Sequence, residues 1–341
     1  MIDKRLVIFA GAGASLAVSS TKFPATQQFF EQLPKSIAGN ALYEMLVPHI
    51  KAETKKEHID IEDLLGALYE CARVSNAIHS GNSALAPILS SQRAVSQVAS
   101  PGLETTQVKN MFSSLESHVH NYASAINQLV YDLYSKAPSA SEYEQNWKKL
   151  ISRALKKYER VEIFTTNYDV VLETVIENEG FPIYTGRTKT PFARLNTSEW
   201  TLGDTLESSR GRLTKIHGSV DWQKSGNEIF WGAPAFTGSH DRHVILYPAK
   251  YKSLTEWPFN VFHQYFATQA KIADAAIFVG FAFRDQAINE VIRAGIRQDV
   301  RVAVIDPYPN HMIPIESGNV GYIEEGFGAE AVEASFRLIC D

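Results

Sequence analysis

Two polar side chains, Asn167 and His217, each follow a segment of the sequence that is predicted to form a short strand. The run at 161–165 is β-branched and aromatic, and an apolar helical pattern begins at Asp169, so the amide of Asn167 lies where a strand becomes a helix. Open α/β sheets bind ligands at such junctions. An amide suits contact with sugar hydroxyls or an attacking water, and an imidazole that exchanges protons near neutral pH suits a general base.

Each of these residues also has a purely structural interpretation. Asn167 can be a turn residue whose side chain bonds the backbone, and His217, which precedes Gly218, can be a hydrogen-bonded core histidine. Found together in this order, the two favour a functional interpretation. Asp169 is well placed to cap the following helix, and we include it only as a supporting site residue.

A strand, a glycine turn and a helix also begin the chain. The apolar run at 6–10 leads into the sequence Gly-Ala-Gly-Ala-Ser at 11–15. Glycine lets a backbone approach a pyrophosphate, and helix N-terminal amides donate to it. Leu16 stands where a third glycine would complete a dinucleotide fingerprint, which argues against an ordinary hydride-transfer dehydrogenase. The residues expected to hold phosphates and the adjoining ribose are Gly11, Ala12, Gly13 and Ser15.

The charge balance offers no general attraction to nucleic acid or acidic lipid, because 33 Lys and Arg face 38 Asp and Glu, a formal charge of −5. Direct, sequence-specific nucleic-acid binding is therefore not expected. No apolar run approaches the roughly 20 residues that span a bilayer. Met1–Arg5 leads straight into a strand rather than a secretory leader, so we expect a cytoplasmic location and no membrane partner.

Residues from about 40 to 158 carry a helical period with few strand signals. This block is longer than a crossover needs, so it predicts a helical insertion. The pattern Ser141-x-x-Glu144 predicts a capping box at the start of its last helix.

The last third of the chain alternates between strands and helices, which implies a parallel sheet covered on both faces. We therefore expect an α/β fold, a Rossmann-like parallel sheet with helices on both faces and a large helical insertion. A single domain spans 1–341, with its sheet core at 5–20 and 159–310. After strand 300–305 we expect an irregular stretch and a helix at 329–339.

Five motifs occur in order along the chain: the glycine turn, Thr165–Asp169, Ile216–Gly218, Val279–Asp285 and Val304–Pro307. The ordered set resembles the sirtuin-like family, and most closely its zinc-free branch found in bacterial antiphage defence proteins. Thr-Thr-Asn-Tyr-Asp matches the family's T-Q-N-x-D motif, and Ile-His-Gly matches L-H-G. Thr166 stands where the family has glutamine, so one ribose contact differs. The resemblance covers about 5 to 306, apart from the insertion.

The resemblance implies cleavage of the nicotinamide–ribose bond of NAD, with NAD as the substrate. It assigns Asn167 to the ribose hydroxyls or the attacking water and His217 to the general base. Asp285 is expected to cap a helix from Gln286. Asp306 departs modestly from the family pattern, because the family often has asparagine at this position. The further NAD-binding residues that it implies are Thr165, Thr166, Gly280, Phe281 and Asp306.

The cysteine count argues against a structural zinc site. Cys71 and Cys340 are the only cysteines, whereas the zinc module of the deacylase sirtuins needs four. No zinc is therefore expected. The run His240–His243 contains two histidines and an aspartate and is a possible metal cluster, an interpretation that the sequence disfavours.

The expected function is that of an NAD glycohydrolase acting as an antiphage, abortive-infection effector. Such an enzyme must be restrained, and no sensor domain is visible, so the resemblance implies a regulatory partner such as a HerA-type ATPase or a short Argonaute. It also implies a homo-oligomer. Three alternatives remain open: a non-catalytic subunit that binds NAD or ADP-ribose, an NAD-dependent protein deacylase, and cyclisation of NAD instead of hydrolysis.

Overall fold

The computed structural model describes most of the 341-residue chain. The described residues are 4–24, 29–30, 33–55, 59, 61–79, 105–188, 193–201, 209–225, 227–232, 243–245, 256–309, 313–315 and 319–340. The chain divides into two compact units. The first contains Met1–Ala25, Tyr131–Leu246 and Lys252–Asp341, and the second contains Thr26–Val130 and Tyr247–Tyr251. The helices between 140 and 157, which the predicted insertion includes, belong to the first unit.

Nine strands occur in the described part of the chain. They are β1 Arg5–Ala10, β2 Arg160–Thr165, β3 Leu213–Lys215, β4 Gly218–Ser225, β5 Glu228–Trp231, β6 His243–Ile245, β7 Ala275–Val279, β8 Arg301–Ile305 and β9 Val320–Ile323. Six of them form a sheet in the order β3-β2-β1-β7-β8-β9, and every pairing in it is parallel. The other three form a small antiparallel sheet, β5-β4-β6.

The described helices, in chain order, are α1 Ala12–Leu16, α2 Lys35–Ala38, α3 Ala41–Thr54, α4 Ile61–His79, α5 Thr105–Tyr134, α6 Ala140–Tyr143, a π-helix Glu144–Lys148, α7 Lys149–Lys157, α8 Val171–Glu179, α9 Ser198–Thr201, α10 Phe259–Ile272, α11 Gln286–Gly295 and α12 Ala329–Cys340. Among these, none is both long enough and apolar enough to span a bilayer.

Helices cover both faces of the parallel sheet. Along β1, Leu6, Ile8 and Ala10 are buried in a core that includes residues of α7, α8 and α12. Val7 and Phe9 point the other way, into a core with residues of α10 and α11. Because successive side chains of a strand alternate between faces, an almost wholly apolar strand needs both cores. The predicted α/β fold is therefore confirmed.

The capping box lies two residues before its predicted position. Ser139 and Glu142 form it at the start of α6, and the Glu142 carboxylate accepts a 2.7 Å hydrogen bond from the Ser139 amide. Lys22 also contacts this carboxylate at 2.7 Å. The hydrogen bonds from Lys22, which has the largest effect, and from Ser139 lower the pKa of Glu142 to about 2. The Ser-x-x-Glu pattern occurs twice here, at Ser139 and at Ser141, and the structure uses the first.

Candidate functional site

The direction in which strands are added to the parallel sheet reverses between β1 and β7. From β1 the chain continues to β2 and β3 on one side, and then crosses to β7, β8 and β9 on the other. Open α/β sheets bind ligands where the order reverses in this way. The residues at or just beyond these strand ends are Gly11 after β1, Thr165 ending β2, His217 after β3, Gly280 after β7 and Asp306 after β8.

Glycines allow the turns after β1 and β7 to touch. The Gly11 amide donates to the Val279 carbonyl at 2.9 Å, and the Gly13 amide donates to the Gly280 carbonyl at 3.0 Å. Gly280 has φ +54°, and a Cβ there would lie 2.3 Å from the Ala14 nitrogen, so an L side chain is excluded on two grounds. Since the Gly11 and Gly13 amides already bond within the chain, their predicted contact with phosphate remains a prediction, as does that of exposed Ala12.

The side chain of Asn167 is fixed against the glycine turn. Its amide nitrogen donates to the Gly11 carbonyl at 2.8 Å and contacts the Ser15 hydroxyl at 2.9 Å. Its backbone amide donates to the Thr165 hydroxyl at 3.0 Å, and that hydroxyl in turn bonds the Ala10 carbonyl at 3.1 Å. Both N–H groups of the amide are thus directed into the protein. The orientation leaves Oδ1 as the atom suited to accept a hydrogen bond from a sugar hydroxyl or water.

Asp169 stabilises the start of the helix that follows the turn. It is buried, and its Oδ1 accepts a 3.0 Å hydrogen bond from the amide of Val171, the first residue of α8. Burial raises the pKa of Asp169, with Lys215 and the Ser15 hydroxyl acting in the opposite direction. The structure therefore gives Asp169 a local role in shaping the turn.

His217 follows β3 and lies against the same turn. Its side chain is 3% exposed, and its Nε2 lies 3.2 Å from Oδ2 of Asp285. Its ring stacks with Tyr168, at 6.4 Å between centroids and 29° between planes. The Ile216 amide also donates to the Thr165 carbonyl at 2.9 Å. The two motifs that carry Asn167 and His217 are thus in direct contact.

Lys215 links the pieces of this site, a role that the sequence analysis missed. Its ammonium lies 2.7 Å from Glu173 on α8 and 2.8 Å from the Ser219 hydroxyl, and it donates to the carbonyl of Asp169. Lys215 and Glu173 are both buried, and burial raises the pKa of Glu173 to about 7 although Lys215 opposes the shift. A charged residue within the otherwise uncharged, buried β3 was the available signal, because lysine is seldom buried without a partner.

The remaining predicted residues differ in their surroundings. The Thr166 amide donates to the Ala10 carbonyl at 3.3 Å. Phe281 packs its ring on Phe9 at 4.5 Å, so its side chain belongs to the core. Asp306 accepts a 2.8 Å hydrogen bond from the Tyr308 amide through Oδ1. Their predicted contacts with NAD remain predictions.

A metal site gains no support from the part of the chain that the structure describes. Within it, no three His, Cys, Asp or Glu side chains come together as a group that could hold a metal ion. The side chains of the run His240–His243 lie outside the described residues.

Comparisons with known proteins include the part of the chain that carries Asn167 and His217. Residues 161–322 match the family model of the SIR2-like domain. Similar solved structures include a Sir2 homolog–NAD complex (12% identity, 98% of this chain and 91% of that chain covered, TM-score 0.44) and a Sir2 homologue mutant with 2′-O-acetyl ADP ribose (11% identity, 99% and 94%, TM-score 0.45). No curated protein matches the chain. Residues 161–322, which carry both Asn167 and His217, are thus similar to a SIR2-like domain, and this match supports the resemblance to the sirtuin-like family.

Proposed function

We propose that the protein is an NAD glycohydrolase that converts NAD and water into nicotinamide and ADP-ribose. The observation that carries the proposal is the contact between the two motifs, in which Tyr168 stacks on His217 while neighbouring Asn167 bonds the glycine turn. This arrangement lies at the strand ends where ligands bind in open α/β sheets. The SIR2-like match over residues 161–322 supports the same substrate class.

The proposed reaction needs few groups from the protein. Cleavage of the bond between the ribose carbon and the nicotinamide nitrogen leaves the electron pair on nicotinamide, which becomes neutral, and develops positive charge on the sugar. A water oxygen then bonds to the same carbon, and its proton passes to the imidazole of His217. Oδ1 of Asn167 orients this water or a ribose hydroxyl. Positioning by a fixed amide and a nearly buried imidazole is the protein's main contribution.

The turns after β1 and β7 suit the dinucleotide because they offer backbone without intervening side chains. At Gly11, Gly13 and Gly280, a Cβ would fall within 3 Å of backbone atoms of the facing turn. The glycines therefore let the two turns pack main chain against main chain. In this proposal the pyrophosphate lies against the exposed part of the first turn, at Ala12. In this proposal Thr166 and Asp306 meet the ribose hydroxyls, and Thr165 holds Asn167 in place through its buried hydroxyl. No zinc ion is needed for any of these contacts.

Product analysis tests the proposal. We expect purified protein incubated with NAD to release nicotinamide and ADP-ribose in equal amounts, as measured by chromatography. Release should not depend on an added acetylated peptide, since a deacylase would require one. Cyclic ADP-ribose in place of ADP-ribose would show that adenine, not water, reacts with the sugar. Bound but intact NAD would instead identify a non-catalytic NAD-binding subunit and contradict the proposal.

We further propose that this activity serves as an antiphage effector in the cytoplasm, acting as a homo-oligomer and controlled by a partner such as a HerA-type ATPase or a short Argonaute. The support is the resemblance of the motifs to the defence branch and the cost to a cell of unrestrained NAD loss. We expect NAD turnover by the chain alone and with the product of its neighbouring gene to differ by about tenfold or more. A complex that contains the His217→Ala variant shows how much NAD the partner itself consumes. Equal NAD turnover by the chain alone and by the chain with its partner would contradict partner control.

A further inference from the structure

Asp285 uses both of its carboxylate oxygens. Oδ1 accepts a 3.2 Å hydrogen bond from the amide of Ile288 and so caps α11. Oδ2 lies 3.2 Å from Nε2 of His217. The sequence predicts only the first of these contacts. The second joins the loop after β7 to the residue after β3, which lie on opposite sides of β1 in the sheet.

We propose that Asp285 is a positioning residue for His217, a carboxylate that holds the imidazole in one orientation through Nε2. This inference rests on the proposed function, in which His217 is the base. An imidazole exchanges its proton efficiently only in one tautomer and orientation, and a carboxylate on one nitrogen fixes both.

The loop that carries Asp285 is held in place from several directions. Phe283 adopts φ +53°, a conformation that costs a non-glycine residue free energy and persists only where its surroundings impose it. Its ring is buried against Phe278 and Phe281 at 5.2 and 4.8 Å between centroids. The side chain of Asn289 donates to the Phe283 carbonyl at 2.7 Å. Together with the cap on α11, these contacts fix the carboxylate before any substrate binds.

The charge of Asp285 acts on His217 with little screening, because their side chains are only 11% and 3% exposed. Among the described residues, Tyr168 from the turn before α8 and Asp285 from the loop before α11 face the imidazole. The nearby Lys215 is paired with Glu173. The Asp285 carboxylate thus places a negative charge 3.2 Å from Nε2, and a negative charge favours the protonated imidazole.

The test separates the contact with His217 from the helix cap. Asparagine and serine are both good caps, so Asp285→Asn and Asp285→Ser keep α11 capped while removing the carboxylate. We expect the His217 pKa to fall by about one unit in both variants, as measured by NMR titration of histidine-labelled full-length protein. The His217 signal is assigned by its loss in His217→Gln. The acid limb of the kcat/KM profile should shift to lower pH in step, with kcat reduced about tenfold.

The outcomes distinguish this inference from the proposed function. The positioning role of Asp285 is overturned if the His217 pKa is unchanged in Asp285→Asn and Asp285→Ser. It is also overturned if these variants cleave NAD with the same pH profile as the parent protein. If the parent does not cleave NAD, the proposed function fails, but the NMR titration still reports whether Asp285 controls His217. Asp285→Ala, which loses the cap as well, should lower the melting temperature below that of Asp285→Ser without a further change in the His217 pKa. A purely structural role predicts that stability changes and the pKa does not.

Discussion

Alanine at Asn167 or at His217 is expected to slow nicotinamide release from NAD by about 100-fold or more while the protein stays folded. His217→Ala removes the group that takes the water proton, and Asn167→Ala removes the oxygen that orients the water or the ribose. Because both act at the same sugar, the double variant should be little slower than the worse single variant. Single-turnover measurements of nicotinamide release would give these rates without interference from product release.

The structural cost of these substitutions is expected to be small beside the kinetic effect. Asn167→Ala loses the contacts with Gly11 and Ser15, and such hydrogen bonds contribute about 1 kcal/mol each to the free energy of unfolding. A typical domain has about 5–15 kcal/mol of stability, so the variant should remain folded. His217→Gln is a milder test, since the amide can still donate to Asp285 but cannot take up a proton.

Asn146→Ala is a matched control for Asn167→Ala. Asn146 is also an asparagine of the first unit, and its amide also donates to a backbone carbonyl, that of Glu142, at 3.2 Å. It lies in the π-helix, outside the strand ends that form the site. The control should lose stability to a similar degree and keep its NAD turnover. Turnover that falls equally in both variants, or in neither, would place the reaction elsewhere in the protein.

The parts of the fold that the sequence predicts are those whose signals are local. The buried strands β1, β2, β7 and β8 are short apolar runs, and a helical pattern follows each polar turn, so their order along the chain identifies a parallel sheet. Asn167 and His217 could be proposed because each follows a segment that predicts a strand. Sheet order and the contact between their motifs arise from the assembled fold.

The features that were missed depend on contacts between distant residues. Strand β9, Val-Gly-Tyr-Ile, contains a glycine that weakens any strand signal, yet a Cβ at Gly321 would lie 2.5 Å from the Leu338 side chain on α12. At Gly321 the strand therefore lies close to the Leu338 side chain of α12. Likewise Asp285 has the sequence signature of a helix cap, and nothing local indicates that its second oxygen reaches His217. Lys215 gains its role only when the turn at 165–169 folds against β3.

Gly280→Ala is expected to destabilise the first unit and to weaken NAD binding together. An alanine at φ +54° is strained by about 1 kcal/mol, and its Cβ would lie 2.3 Å from the Ala14 nitrogen and 2.4 Å from the Gly13 carbonyl carbon. These are backbone atoms that cannot rotate away, so the two turns must separate, at a further cost of about 1–3 kcal/mol. The same displacement moves the surface proposed for the pyrophosphate. The KM for NAD should therefore rise by about tenfold or more.

Gly180→Ala is a control that has the backbone strain of Gly280→Ala without its close contact with another turn. Gly180 has nearly the same backbone conformation, φ +61°, but a Cβ there would meet nothing within 4 Å. Urea unfolding of the two variants should show a loss of about 1 kcal/mol for Gly180→Ala and a clearly larger loss for Gly280→Ala, with an altered KM only in the latter. The difference between the two losses measures the contact between the turns after β1 and β7. Equal losses would mean that these turns do not touch, and main-chain recognition of the pyrophosphate would lose its structural basis.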